Sequence, residues 1–388
     1  MNSVQQSSHP LPAAVPRDAA QAEMDEANRL GMMYSSGDGV PQDWEQARTW
    51  FRKAADRGHA NAQFNLAVIY SNGRRAQDYA HALLWYRKAA HQGHARAQFN
   101  LGLMYANGQG VPQDHAQALA WYTEAAELGH AGAQNNLGLM YVNGLGVPVD
   151  GMHALHWFQR AADQNDPAAQ NNLGLMYASG KSLPQDLRRA ADWYGRAAAQ
   201  GYALAQYNLA AMLEAGQGAP VDLPQAQALY RAAAEQGLAK AQYSLALMYD
   251  RGHGLPRDAQ QAMAWYCKSA ERGNAHAQFS LGLRYDTGNG VQQDAAKALS
   301  WYRRAAEQGH ARAQFNLGTM YAQGHGVAAD EAVAWAWLNL AVEQGISYAG
   351  RALAQLTQAM TATQLADAAE TGRALQRKMG GDSAVAQG

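Results

Sequence analysis

The sequence predicts an all-α solenoid of stacked helical hairpins, and three observations carry that prediction. Tyrosines recur as Tyr34, Tyr70, Tyr105, Tyr141, Tyr177, Tyr249, Tyr285 and Tyr321, with Leu213 in the one missing place; the steps are 36, 35 and then 36 throughout. Tryptophans keep the same period at Trp50, Trp85, Trp121, Trp157, Trp193, Trp265, Trp301 and Trp337, with Leu229 as the substitute. Eight of the ten tryptophans share this position, and only Trp44 and Trp335 fall outside it. The third observation is punctuation: a Gly-x-Gly turn separates tyrosine from tryptophan in most periods. A fixed period of this length marks a repeat architecture. Nine repeats fill residues 24–346.

One unit, Ala95 to His130, shows why each period is a helical hairpin. Gln98, Leu101, Gly102 and Tyr105 are spaced by three and four, the stripe of an amphipathic helix. Asn107-Gly108 ends it, because glycine adopts the left-handed conformation that closes a helix. Gly110 and Pro112 keep the chain in a turn. Asp114 with Gln117 then opens a second helix, in the spacing of a capping box with Asp in the first place. Asp43 with Gln46, Asp222 with Gln225, and Asp258 with Gln261 repeat it. The second helix carries Ala118, Trp121, Tyr122 and Ala125 on one stripe and ends at Gly129. Asp166-Pro167 supplies a cap and a first-turn proline for the fifth repeat.

A single hairpin buries its aromatic face only against a neighbour, so stability sums over stacked interfaces. A buried tryptophan withdraws about 150–250 Å² from water, worth at most about 4–6 kcal/mol. On this reading Trp121→Ala costs about 3–5 kcal/mol. Gly102, Gly138, Gly174, Gly282 and Gly318 recur in first-helix middles, where glycine costs about 1 kcal/mol against alanine. Repeated at one position, that cost implies close approach, with a partner helix's ring filling the space.

Composition narrows the function classes. Apolar residues make up 48% of the 388, enough for a large core. Lys plus Arg is 31 and Asp plus Glu 32, a net charge of -1, which argues against a dedicated nucleic-acid binder. Cys267 stands alone, so there is no disulfide framework and no thiolate metal site. No apolar run approaches the roughly 20 residues that cross a bilayer. Residues 1–23 lack the charged start and apolar stretch of a secretory signal. A cytoplasmic protein is expected, periplasmic or secreted only by a non-standard route.

At the residues of the motif A-x-A-Q-[FYN]-[NS]-[LA]-[GA]-x-M-Y-x-x-G-x-G-V-P-x-D-x-x-x-A-x-x-W-[YF]-x-x-A-A-x-x-G, seen at Ala95 to Gly129 and in its spacing at Ala275 to Gly309, the chain resembles the Sel1-like repeat family, relatives of tetratricopeptide repeats. The resemblance covers 24–346. The 34-residue tetratricopeptide period fits less well, lacking the Gly-x-Gly-Val-Pro insertion. The resemblance implies a right-handed α-solenoid superhelix that binds proteins or peptides, works as a scaffold or adaptor, and is not an enzyme. Bacterial members are similar to adaptors in signalling, secretion, envelope or host-interaction systems. Some resemble immunity proteins that block toxic effector enzymes, which makes an immunity or inhibitor role the alternative.

Departures from the pattern are local. Repeat two shortens its loop to Gly73-Arg74-Arg75-Ala76-Gln77, placing two arginines on a turn. Repeat six carries Leu213, Leu229, Ala219 and Pro224, which lessens aromatic burial and makes it the expected weak joint. Residues 347–378 read as a polar helix pair capping the stack, with Thr361 and Gln364 as a capping box. The tails, 1–23 and 379–388, are expected to be disordered.

A partner is expected on the first-helix face opposite the Gln-Leu-Gly-Tyr stripe, the concave side by analogy with tetratricopeptide arrays. It presents Phe64, Phe99, Tyr207, Tyr243, Phe279 and Phe315, with Leu103 and Leu247. Two readings of these rings stand: anchors for a bound segment, or framework residues buried between adjacent first helices. Charges on this face vary. Glu214, Asp250 and Asp286 follow the tyrosine position in repeats six to eight, an acidic ladder with steps of roughly 10 Å that would suit a basic peptide. Arg96, Lys240, His276 and Arg312 hold its other end. A solvated face is the alternative. The expected partner is a protein or peptide, with no nucleic acid, no membrane span, no cofactor and a monomeric state.

Catalytic signatures are weak. His59, His94, His130 and His310 share the linker position, so repetition accounts for them. His153 and His156 have metal-sharing spacing without an evident third ligand, so no metal site is assigned. No nucleophile elbow, phosphate loop or zincin motif occurs. Cys267 reads as a semi-buried structural thiol. A metal-dependent hydrolase would be betrayed by metal in the purified protein.

Overall fold

The computed structural model describes residues 17–73 and 76–385, and every regular element among them is a helix. Arg74 and Arg75, expected on a turn, lie outside the described residues, as do 1–16 and 386–388 of the expected tails. The chain divides after Ala169 into two compact units. In the first, α1 (Arg17–Ser36) pairs with α2 (Trp44–Ala55), α3 (Ala60–Ser71) with α4 (Ala76–Ala90), α5 (Ala95–Asn107) with α6 (His115–Glu127), and α7 (Ala131–Asn143) with α8 (Gly151–Asp163). The division falls early in α9 (Pro167–Ser179), which is followed by α10 (Leu187–Ala199). In the second unit α11 (Ala203–Ala215) pairs with α12 (Leu223–Glu235), α13 (Ala239–Arg251) with α14 (Ala259–Glu271), α15 (Ala275–Thr287) with α16 (Ala295–Glu307), and α17 (Ala311–Gln323) with α18 (Glu331–Glu343). The closing helices α19 (Ala349–Ala359) and α20 (Ala362–Val385) both pack on α18.

Helix thus takes in residues 17–23 and 379–385 of the expected tails. At the first of these, Ala19, Ala20 and Ala22 are strong helix formers. At the other end α20 runs on past Lys378 without a break. Trp335, outside the tryptophan register, serves this closing pair: its indole N–H donates to Thr357 Oγ1 at 3.0 Å. Trp44, the other outlier, is 52% exposed.

The hairpin punctuation is built as the spacing implies, with one difference. Gly108 and Gly144 close α5 and α7 at φ 67° and 69°. The second glycine of the turn has a further reason to be glycine. A Cβ on Gly146 would lie 2.6 Å from the carbonyl oxygen of His115, at the start of the preceding repeat's second helix. Asp43, Asp114, Asp222 and Asp258 cap second helices through their carboxylates, but the glutamine does not complete a reciprocal box. The capping residue's own N–H is already spent: Asp114 N donates to Tyr105 O at 2.9 Å, and Asp258 N to Tyr249 O at 3.0 Å. The reciprocal box does form at Thr361, where Gln364 Oε1 accepts from Thr361 N at 2.8 Å.

The core corrects the sequence reading of the aromatics. Of the periodic tryptophans only Trp85, Trp265 and Trp337 are buried, and Trp121 is half-buried. The next residue is the true core position: Phe51, Tyr86, Tyr122, Phe158, Tyr194, Tyr230, Tyr266 and Tyr302 are all within 4% of full burial. These rings fill the space left by the recurrent glycines. A Cβ on Gly102, Gly138 or Gly174 would stand 2.6 Å from the ring of Tyr122, Phe158 or Tyr194. Several of the partly exposed tryptophans instead form platforms covered by a cation one helical turn on, such as Arg160 over Trp157 at 4.9 Å and Arg196 over Trp193 at 4.3 Å.

A glutamine ladder ties consecutive repeats together. Each buried first-helix glutamine donates Nε2 to the carbonyl eight residues earlier, at the end of the preceding second helix: Gln63 to Ala55, Gln134 to Ala126, Gln278 to Ala270 and Gln314 to Ala306. Its Oε1 accepts from a second glutamine thirty residues or so along the chain, as in Gln164 to Gln134 at 2.7 Å and Gln308 to Gln278 at 2.7 Å. Leu128 and Arg272 occupy that second position in two repeats. There Gln98 Oε1 and Gln242 Oε1 are buried and accept no hydrogen bond from the protein. Leu128→Gln is therefore expected to stabilise the chain by about 1 kcal/mol, the worth of one restored hydrogen bond. A urea titration with an unmoved midpoint would refute it.

Candidate functional site

The first-helix face begins with its rings, which are neither free anchors nor fully buried. Phe64 is 7% exposed, and Phe99, Tyr207, Tyr243, Phe279 and Phe315 are half-buried. All but Phe315, whose hairpin carries Leu338 at that place, lean on the core ring of their own hairpin, as Phe99 does on Tyr122 and Phe279 on Tyr302, both at 5.9 Å. The opposite side is covered by the linker residue opening the next repeat. His94 stacks on Phe64 at 4.7 Å, His130 on Phe99 at 4.5 Å and His310 on Phe279 at 4.6 Å. Tyr243 stacks instead on His276, at 5.7 Å, and Tyr348 meets Phe315 edge-on at 4.6 Å. Leu103 and Leu247 are half-buried beside the rings, while Leu175 and Leu283 at the same repeat position are 46% and 42% exposed.

The stacked histidines are helix caps. Nδ1 of His94, His130 and His310 accepts the N–H of Ala97, Ala133 and Ala313 at 3.1–3.2 Å. Nδ1 accepts only in the neutral ring. Burial holds all three below the ordinary histidine range; His310, with His276 and Arg312 nearby, falls to about 4. Because this pKa is depressed on folding, the unfolded chain binds more protons between about pH 6.5 and pH 4, so the cap's stability is whole above 6.5 and is lost as pH falls toward 4. His310→Asn, the residue found at the same place as Asn274, is expected to flatten the fall in urea midpoint over that window. An identical slope in both proteins would exclude the cap as its source.

The three carboxylates of the expected ladder are occupied. Glu214 accepts the hydroxyl of Tyr230 at 2.9 Å; Asp250 and Asp286 accept those of Tyr266 and Tyr302 at 3.3 Å. Burial, reinforced by these carboxylates, pushes all three phenols well above the usual tyrosine range. Glu214 also faces His253 at 3.9 Å and Asp286 faces His325 at 3.4 Å. Asp250 has a stronger partner, Arg284 at 2.5 Å, whose side chain is 6% exposed. Arg284 also donates to Asn289 O at 3.2 Å and lies over the Tyr266 ring at 5.1 Å. Sequence reasoning missed this cation, although the signal was present: Met33, Met104, Met140, Met176, Met212, Met248 and Met320 hold the same repeat position.

These residues border a groove of about 810 Å³ in the second unit, formed by α13, α15 and α17. Tyr243, Leu247, Phe279 and Leu283 supply its apolar lining, and Ser280, Thr287 and Asn289 its neutral polar atoms. Its formal charges are Arg251, Arg284 and Arg312 against Asp250 alone. Arg251 and Arg312 are exposed, and no carboxylate lies within ion-pair distance of either among the described residues. Arg96, at the position of Arg312 in repeat three, sits over the Phe64 ring at 5.0 Å.

The groups considered for catalysis are otherwise engaged. His153 holds Asp150 at 2.7 Å and stacks on Tyr141, and His156 meets Trp157 edge-on. No three His, Cys, Asp or Glu side chains are arranged to hold a metal ion among the described residues. Burial, with Glu271 nearby, raises the Cys267 thiol above its ordinary range, the opposite of an activated nucleophile. No helix among the described residues is long and apolar enough to cross a membrane.

Paired helices, a glycine-punctuated turn and interlocking glutamines define a helical-repeat protein of the solenoid class. The chain belongs to the Sel1 repeat family: the Sel1 repeat model matches nine times, at 27–59, 60–94, 95–130, 131–166, 167–202, 203–238, 239–274, 275–310 and 311–346. Among solved structures it is similar to a Sel1 repeat protein from Oxalobacter formigenes, 37% identical over 84% of this chain and 93% of that one, with a TM-score of 0.63. It is also similar to a protective antigen of uropathogenic Escherichia coli with an SLR fold, 33% identical over 94% of both chains, with a TM-score of 0.53. An immunity protein from Pseudomonas aeruginosa matches at 22% identity over 65% of this chain and 82% of that one, with a TM-score of 0.37. No curated protein matches the chain. Sel1 repeats are typically protein-interaction scaffolds and generally non-catalytic.

Proposed function

We propose that this chain is a non-enzymatic scaffold that binds a protein or peptide on its first-helix face. The observation that carries the proposal is the groove of about 810 Å³ over α13, α15 and α17, because part of its lining, including Arg251, Leu283 and Arg312, comes from repeat positions whose residues change from one repeat to another. Positions that build the hairpin hold the same residue type nearly everywhere; positions on this face range over Leu, Ala and Thr, or over Arg, Lys, His and Gly. A preformed face also avoids the entropy cost of ordering a loop on binding. Half-buried rings make the groove's floor, and exposed leucines such as Leu283 offer contact area. Photo-crosslinking side chains placed at Leu175 and Leu283, and in parallel at the exposed Met152 of α8, test the reading. Capture from the first-helix positions alone is expected. Equal capture from Met152 would remove the face from consideration.

A further inference from the structure

We infer that the groove over α13, α15 and α17 binds an acidic, leucine-bearing segment of a partner protein, with Arg251 and Arg312 receiving its carboxylates. The inference rests on the first-helix reading above and deepens it. A ladder of Glu214, Asp250 and Asp286 would by itself suggest a basic ligand, and side-chain pairing reverses that sign. Among the described residues Asp250 is the only acidic one in the lining, and it is consumed by Arg284 at 2.5 Å and by the Tyr266 hydroxyl at 3.3 Å. Arg284 stands where seven other repeats carry methionine, so this neutralisation is particular to the groove.

What remains for a ligand is two exposed guanidinium groups with no carboxylate within ion-pair distance among the described residues, at the ends of α13 and α17, and the apolar surface between them. Arg251 and Arg312 also present their donors in the planar fork that fits a carboxylate. Leu247, Leu283 and Phe279 give an apolar side chain a place between the charges. The volume falls within the roughly 300–1,000 Å³ of well-formed ligand sites.

A single-stranded nucleic acid is the other anion with apolar faces, and the rings count against it. Base recognition needs an open aromatic platform. The faces of Tyr243 and Phe279 are covered by His276 at 5.7 Å and His310 at 4.6 Å. Two free arginines also leave few phosphates neutralised.

Fluorescence anisotropy on the full chain at low salt tests the inference, with three labelled probes: a short peptide alternating glutamate and leucine, its lysine–leucine counterpart, and an oligouridylate of similar length. The glutamate peptide is expected to bind best and to weaken as salt screens the charges. Arg251→Glu combined with Arg312→Glu is expected to weaken it at least about tenfold, with a thermal melt like that of the parent because both side chains are exposed. Arg251→Gln combined with Arg312→Gln gives the same test without added negative charge. Preference for either other probe, an unchanged double variant, or no binding of the glutamate peptide overturns the proposal. Benzophenone-bearing forms of both peptides locate the cause of a failure. Crosslinks on α13, α15 and α17 regardless of peptide charge would end the acidic preference and leave the first-helix reading standing; crosslinks on α14 or α16 would end both.

Discussion

Tyr122→Ala is expected to lower stability by about 3–5 kcal/mol, the range for removing a buried aromatic side chain. Tyr122 is 3% exposed, and its ring lies where Gly102 leaves room for it. Glycine has no side chain to move into the space, so the cavity cannot collapse and the full cost is felt. The loss also propagates, because each repeat is stabilised chiefly by its neighbours. Burial pushes the phenol up to about 12, and the side-chain hydrogen bond with Asn136 works against that rise. Tyr122→Phe should accordingly cost only about 1 kcal/mol. Trp121→Ala, next along the helix, is expected to cost less, about 2 kcal/mol, since part of that ring's transfer energy is already forgone to solvent. Urea midpoints of the three variants decide the matter. A larger loss from Trp121 than from Tyr122 would return the tryptophan to the core.

Asp250→Ala is expected to cost about 2–4 kcal/mol, while Arg284→Met changes stability by less than about 1 kcal/mol. The asymmetry follows from burial. Removing one partner of a buried pair strands the other charge at a cost of about 3–5 kcal/mol, whereas replacing the charge with a packed apolar residue is near neutral. Arg284 is the stranded charge in the first case, and its side chain is 6% exposed. Asp250 is 25% exposed and keeps the Tyr266 hydroxyl, so it tolerates the loss of its arginine. Methionine is the residue that other repeats place there, so the cavity already has the right shape. The double variant Asp250→Ala/Arg284→Met should recover most of the loss, giving a coupling energy above about 1 kcal/mol in a thermodynamic cycle. Additive effects would show that the two side chains do not share a buried site. Arg284→Met also returns a free carboxylate to the groove, so it should weaken the glutamate peptide in the assay above without touching Arg251 or Arg312.

The repeat was legible because its markers act locally. Glycine at the end of a helix, Asp before the next one, and a three-four stripe of Leu, Gly and Tyr each fix backbone geometry within a few residues. Period, hairpin topology, helix limits within the array and the capping role of Asp all follow from such neighbours. The linker histidines were recognised as repetitive for the same reason, and their cap bonds span three residues.

Misreadings fell where the deciding partner is distant. Trp121 and Tyr122 are adjacent and about 100° apart on one helix, so both border the same stripe; only the position of Gly102, opposite, gives the core to the tyrosine. Gln117 did not complete its capping box because the N–H it would have reached belongs to Tyr105 O. The acidic ladder looked free because the tyrosines that use it lie 16 residues later and Arg284 lies 34 residues beyond Asp250. By itself, then, the sequence determined a row of paired helices and the family to which it belongs, since backbone preference and turn chemistry are properties of short segments. Which ring enters the core, which charges cancel and which arginines remain for a ligand were decided only by tertiary structure, because burial and pairing depend on atoms that the chain brings together from different turns.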